Sequence, residues 1–503
     1  APEEIAWDGI DDTGKHVPDG QYTATLNVSY VNGNTPQAVS NPFFVDTSVP
    51  QIDVSSDALL FSPTADSKLA AVTIKQSSSD EDLWEGEMRD AGGKHIRGWF
   101  WKGKAADFSW DGKDENGNLM ADGYYTYVVK SQSKGGTTTT KQLSGIQIDT
   151  RPTPVYVTAG SDGFSPNGDG FRDTMSFNVI VSLKDGVKSW KLAMVEAAAG
   201  EQKSFGGTTA VPATVTWDGK DNAGIKAAVD GLYTAVLTVE YFKGNVATAK
   251  STPFRLAVTP PKVDVSIGPL PFSPDNDGVN DELTIGLKVD DPVPVDSWSI
   301  TILDPEQHPF TSFAGKGAPT EQIIWNGTSS TGELVQSAED YPLTFTLKDT
   351  LGLTTSVQKT IPVDILVIKD GDKLKVRIAS ITFQANTPDY VNVDADKAAK
   401  NASTISRLAE IFKKYAKYKI QIEGHANLIN WDNPAKAKVE QDQELLPLSK
   451  KRADAIRDAL IAQGIDAARI TTVGVGAAEP IVPFSDLDNR WKNRRVEFVL
   501  VRQ

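Results

Sequence analysis

Trp110-Asp111-Gly112-Lys113-Asp114-Glu115-Asn116-Gly117 decides how the first 365 residues of this chain fold, because it is one of four copies. The others are Trp7-Asp8-Gly9-Ile10-Asp11-Asp12-Thr13-Gly14, Trp217-Asp218-Gly219-Lys220-Asp221-Asn222-Ala223-Gly224, and a decayed Trp325-Asn326-Gly327 with Gly332. About fifteen residues after each Trp stands a tyrosine: Tyr22, Tyr125, Tyr233 and Tyr341. Asp-Gly precedes the first three, and Glu339-Asp340 replaces it before the fourth. A second marker, Phe-Ser-Pro, begins at Phe61, Phe164 and Phe272. The period of about 105 residues is far above solenoid periods and fits one immunoglobulin-sized sandwich per repeat.

Local patterning agrees. Tyr22-Thr23-Ala24-Thr25-Leu26-Asn27-Val28 and Tyr233-Thr234-Ala235-Val236-Leu237-Thr238-Val239 alternate apolar and polar and are rich in β-branched residues. Asp-Gly and Asn-Gly pairs supply the positive φ that tight hairpins need. Each Trp reads as a large ring packing a sandwich edge. The Trp-Asp-Gly…Asp-Gly-x-Tyr arrangement resembles the FlgD-type Ig-like module of flagellar hook-capping and bacterial surface proteins. Residues 1–48 hold only the second half of a repeat, and full copies are expected over 49–150, 151–260 and 261–365. Pro-containing joints at Val49-Pro50, Arg151-Pro152 and Pro260-Pro261 mark the seams as short and stiff. The copies are expected to act as a spacer, with envelope proteins as candidate partners.

Two Phe-Ser-Pro markers precede acidic loops: Asn167, Asp169 and Asp173 around Gly168 and Gly170, and Asp275, Asp277 and Asp281 around Gly278. Oxygens at relative positions 1, 3 and 7 have the chemistry for Ca²⁺. The same residues beside glycine build Asx turns with no ion, and the terminal bidentate acid of a calcium loop is missing. No other cofactor is indicated.

At 503 residues the chain exceeds what one core serves. Its net charge of −15 argues against general nucleic-acid binding, which requires a basic footprint. There are no cysteines, which removes disulfides, thiolate nucleophiles and Cys-ligated zinc. No run of apolar residues is long enough to span a membrane as a helix.

From Leu366 to residue 503 the pattern changes to α+β. Ile405, Leu408, Phe412 and Tyr415 share a helical face, and Tyr418, Ile420 and Ile422 alternate as a strand. A second helix is expected to start with Ser449 as N-cap and stop at Gly464; Val496, Phe498 and Leu500 mark a closing strand, and Ile381 and Phe383 an opening one. Three polar clusters sit at element ends: Gly424-His425-Ala426-Asn427, Leu448-Ser449-Lys450-Lys451-Arg452-Ala453 and Asn493-Arg494-Arg495-Val496-Glu497. A guanidinium in the first turn after Ser449 is suited to gripping a carboxylate in bidentate fashion.

These clusters resemble the peptidoglycan-associating domain of OmpA-type envelope proteins. The resemblance implies a periplasmic protein, anchored to the outer membrane through an N-terminal segment upstream of Ala1, with peptidoglycan or another envelope component as partner. It also implies that Arg452 takes the carboxylate of diaminopimelate, with Ser449, Asn493, Arg494 and Arg495 matching the family positions. Ala426 stands where the family has Thr, and Asn427 where it has the Asp that takes the ammonium. Asn keeps an acceptor and loses the charge, so the expected loss is about 1.5–3 kcal/mol, near ten- to hundredfold in affinity. The expectation is therefore a non-enzymatic scaffold with a weakened pocket; a working peptidoglycan anchor is the alternative, and a wall hydrolase using Glu423 and His425 a remote one. HExxH, GxSxG and P-loop motifs are all absent. His425 reads as a hydrogen-bonded turn histidine.

Overall fold

The computed structural model describes residues 3–208, 210–224 and 229–502, in two compact units, 1–257 and 258–503. Each full repeat is a sandwich of a three-stranded sheet on a larger one. In the second copy strands Phe108–Trp110, Val72–Ser78 and Ile52–Ser55 face a five-stranded sheet; in the last, a three-stranded sheet faces a four-stranded one. Trp110, Trp217 and Trp325 are 0%, 0% and 3% exposed, each within about 6 Å of its copy's Phe-Ser-Pro ring, Phe61, Phe164 or Phe272.

The two markers recur together because they touch. Each Trp indole donates to the carbonyl three residues on: Lys113, Lys220 or Thr328. This folds the Asp-Gly turn back beneath the Phe-Ser-Pro proline. Gly112, Gly219 and Gly327 adopt φ of 77°, 75° and 82°, and a Cβ there would meet Pro63, Pro166 or Pro274 at 3.3, 2.4 or 2.6 Å. Tyr125 and Tyr233 then donate to the carbonyl four residues back. Where Glu339-Asp340 replaces Asp-Gly, the Tyr341 hydroxyl instead accepts from the Gln336 N–H. Residues 3–48 form two two-stranded sheets. The same indole bond forms from Trp7 to Ile10, but Trp7 is 46% exposed because no Phe-Ser-Pro strand covers it.

In the first unit the turn at Lys243–Asn245 docks on the preceding copy. Asn245 donates to Thr64 and Asp66, and the Lys243 ammonium, 2% exposed, meets Asp149 at 3.2 Å and the Arg151 carbonyl. Arg151 closes on the same carboxylate at 2.7 Å, which holds the Asp149 carboxyl at about 2 against the opposing effect of burial.

In the C-terminal domain a hairpin, β1 (Ile368–Asp370) and β2 (Lys373–Ile378), leads to α1 (Ala395–Lys414), β3 (Tyr418–His425), α2 (Pro434–Val439), α3 (Leu446–Ala462), β4 (Ile470–Gly476) and β5 (Val496–Arg502). Sheet order is β1-β2-β5-β3-β4, with β3 and β4 parallel and the other pairs antiparallel. Ile420, Ile422, Phe498 and Leu500 pack against Leu408 and Phe412 of α1 and Ile456 and Leu460 of α3. At Gly464 a Schellman closure ends α3, with Ile465 N–H on the Leu460 carbonyl and Gly464 N–H on that of Ile461.

Two expectations fail here. The domain opens with the β1–β2 hairpin, whose Leu374, Val376 and Ile378 point inward, and not with a strand at Ile381 and Phe383, which lie in an irregular segment held by the buried Asn401 amide. Ser449 is no N-cap. Helical structure starts at Pro434, and a π-helical turn at Glu440–Leu445 carries it into α3. That wider turn accommodates Pro447, which has no N–H to donate.

The last Ig-like copy and the C-terminal domain interleave. Ile365 packs in the core of the second, while Leu366 and Ile368 pack with the first. Asp275 accepts from the Val367 N–H, and Arg407–Asp364, Lys400–Glu339 and Lys492–Glu333 pair across the seam.

Candidate functional site

The end of β3 lies against α3 because Gly424 has no side chain. A Cβ there would sit 2.1 Å from the Ser449 carbonyl oxygen. Ser449 donates to the Leu446 carbonyl and accepts from Gly476 N–H at 3.0 Å, latching α3 to β4. Ala426 is buried among Leu445, Ala477, Leu428 and Phe484, so its methyl fills a small apolar pocket. Asn427 follows, half-buried, and its Oδ1 accepts from Asn493 Nδ2 at 3.3 Å. Asn493 is fully buried; its oxygen accepts from Ile481 and Val482 N–H, and its amide also donates to the Val482 carbonyl. The amide is thereby fixed with an N–H toward Asn427.

Arg452 lies inside α3, not in a first turn, so no free helix N–H groups surround it. Its Nε donates to the Thr387 carbonyl at 3.0 Å, and its guanidinium lies 4.9 Å from the centre of the Phe383 ring. Burial, and then the charge of Arg494, push its pKa down. Among the described residues neither Arg452 nor Arg494 forms an ion pair with an acid. Arg494 is exposed. The structure therefore brings together Asn427 with Asn493 and Arg452 with Arg494: two positive charges and two neutral amides. Ala426 and Ser449 support them from behind.

Arg495 takes no part. Its Nε donates to Glu497 at 2.6 Å and one Nη to the Glu479 carbonyl. Burial works to raise the Glu497 carboxyl, but Arg495 and Arg377 outweigh it and hold it at about 2. His425 also departs from expectation: it is 2% exposed and neither ring nitrogen has a hydrogen-bond partner.

Several contributors lack a sequence signal. Phe383 and Thr387 position Arg452 from a segment some seventy residues away. Glu440, buried in the π-helical turn, accepts from Ile429 and Asn430 N–H and the Asn430 amide, pinning the long connection after Asn427. Gln441 bridges the Val475 carbonyl and Ala477 N–H.

The acidic loops are closed by their own backbone. Asp173 accepts from Gly168 and Gly170, and Asp281 from Asn276 and Gly278. Asn167 donates to Asp169. Carboxylate oxygens of Asp275, Asp277 and Asp281 lie within 4.8 Å of one another. Burial, and then the neighbouring acids' charges, raise the Asp275 carboxyl.

Comparison with known proteins gives the same division of the chain. The OmpA family model matches residues 388–494, and the FlgD Ig-like domain model residues 62–135. A probable lipoprotein of Escherichia coli K12 is 32% identical over 27% of this chain, which spans 62% of that relative's length. The peptidoglycan-associated lipoprotein of Brucella melitensis is 32% identical over 24% of this chain and 68% of its own length, and that of Rhizobium meliloti 28% over 33% and 91%. Among solved structures, the cell wall anchor of the Pseudomonas aeruginosa type VI secretion system aligns at 21% identity and a TM-score of 0.22, over 28% of this chain and 88% of that one. With an α+β domain of this sheet order behind FlgD-type Ig-like sandwiches, and a relative matched over two thirds of its length, the chain belongs to the OmpA family.

Proposed function

We propose that this protein is a non-enzymatic scaffold of the bacterial envelope, in which Ig-like spacers present an OmpA-like domain to the peptide of the cell wall in the periplasm. The observation that carries the reading is Arg452. A half-buried guanidinium with one N–H on a carbonyl, a ring against its face and a second guanidinium beside it has no acidic partner among the described residues. An incoming carboxylate would supply that counter-charge and two acceptors. The relatives named for association with peptidoglycan support the cell wall as its source, and the resemblance to the OmpA-type domain implies diaminopimelate as the group that carries it. On the ammonium side Asn427 offers an oxygen and no charge, so the grip is one-sided and the affinity low.

Co-sedimentation with purified sacculi tests this. Wild-type protein is expected to pellet weakly and Arg452→Ala to remain in the supernatant. Equal pelleting of the two proteins would rule out the Arg452 site.

A further inference from the structure

On the face of the sheet opposite the helices, a second polar group lies apart from the Arg452 site. Ile420 and Ile422 point to the core, so alternation along β3 turns Gln421, Glu423 and His425 to the other face. Oxygens of Glu423 and Glu479 and a ring nitrogen of His425 lie within 4.8 Å of one another. His425 Nε2 is 3.7 Å from Glu423 Oε2, too long for a hydrogen bond. His425 is 2% exposed and neither ring nitrogen has a hydrogen-bond partner, so the Glu423 carboxylate, which it holds below the usual range, is an incomplete answer to its burial. The nearby arginines do not answer it: Arg495 and Arg377 both close on Glu497. Glu479 forms no ion pair among the described residues.

We propose that Glu423, His425 and Glu479 form a zinc site. A neutral imidazole with two carboxylates is a borderline donor set that suits zinc and not calcium or magnesium, which take oxygen alone. Two carboxylates balance a dication. The 3.7 Å between His425 Nε2 and Glu423 Oε2 is near the roughly 3.4 Å separating neighbouring ligands at a tetrahedral zinc. Glu479 is exposed, on the connection between β4 and β5, and reaches the third position by a small approach. Zinc here would tie that connection, which also carries Asn493 and Arg494, to the end of β3.

The test is zinc titration of the metal-stripped full chain against a chromogenic chelator, with thermal melting in parallel. Wild-type protein is expected to bind one zinc in the micromolar range or tighter and to melt higher with it. The exposed-ligand variant Glu479→Gln and the β3 variant Glu423→Gln, each checked for native circular dichroism, are expected to bind at least about tenfold more weakly and to lose the melting shift. Absence of zinc binding by folded wild-type protein would overturn the site. So would variants that bind within about twofold of wild type, a result that places zinc elsewhere, as at exposed His95 between Glu87 and Glu115.

Discussion

Restoring one charge at Asn427 should convert a one-sided grip into a two-sided one. Asn427→Asp is isosteric and gives up only the long bond from Nδ2 to the Leu428 carbonyl at 3.4 Å. Asn493, locked by Ile481 and Val482, directs an N–H at Oδ1 from 3.3 Å, so the side chain keeps its orientation without a ligand. What changes is the bond to an incoming ammonium, from neutral-acceptor to charge-assisted. That difference is about 1.5 kcal/mol for a solvent-accessible pair and about 3 kcal/mol for a desolvated one. Asn427 is half-buried, which places the gain between these, near tenfold to hundredfold in Kd. Sacculus pelleting over a protein concentration series measures it. Repeating the series with sacculi whose diaminopimelate is amidated on the carboxylate separates the two ends of the ligand: Asn427→Asp should gain on both, while Arg452 should matter only on the unmodified wall. A gain below about threefold would show that the ammonium does not reach Asn427, and the reasoning fails.

Other expectations follow from the same geometry. Because the Asp149 carboxyl sits near 2 when folded and near 3.8 when free, its contribution, on the order of 2 kcal/mol, is present above pH 3.8 and is lost as pH falls toward 2. Asp149→Asn should remove that acid dependence and, by leaving Lys243 buried without its counter-ion, cost about 3–5 kcal/mol, read as faster hydrogen exchange in peptides spanning 240–246. Gly424→Ala drives a methyl into the Ser449 carbonyl, so β3 and α3 must separate; melting of the C-terminal domain should fall by several degrees, and an unchanged transition would contradict the packing. For the acidic loops, Asp173 and Asp281 already hold their loops by backbone bonds, so millimolar calcium should leave the melting temperature unchanged; a rise abolished by Asp281→Asn would reverse that reading.

How much of this was legible depended on the range of the signal. The Ig-like copies could be read because Trp-Asp-Gly and Phe-Ser-Pro are each local and each repeats, although only the folded chain presses the glycine on the proline. The second helix and its Gly464 stop were readable for the same reason. Its start was not: Ser449 has the chemistry of a cap, but the π-helical turn that lets helix run through Pro447 leaves no mark in composition. Alternation suggested a strand at Ile381 and Phe383 because both face inward; the backbone there serves the Asn401 amide instead. Arg452 was identifiable from its motif. So was Arg494, from the Asn-Arg-Arg cluster; Phe383 and Thr387 were not readable as partners of Arg452, since residues far apart in the chain meet only through the fold.

The interleaving at Ile365 and Leu366 has a mechanical consequence. A wall-binding domain on a loose tether would let the wall drift before any load reached the rest of the protein. Here a pull on the Arg452 site travels through α3 and the sheet to α1, whose Lys400 and Arg407 are clamped to Glu339 and Asp364. Force meets interlocked side chains sheared together, with no slack segment to pay out first. Residues 361–366 are largely buried in the joint, so a protease should find no exposed strand there to cut.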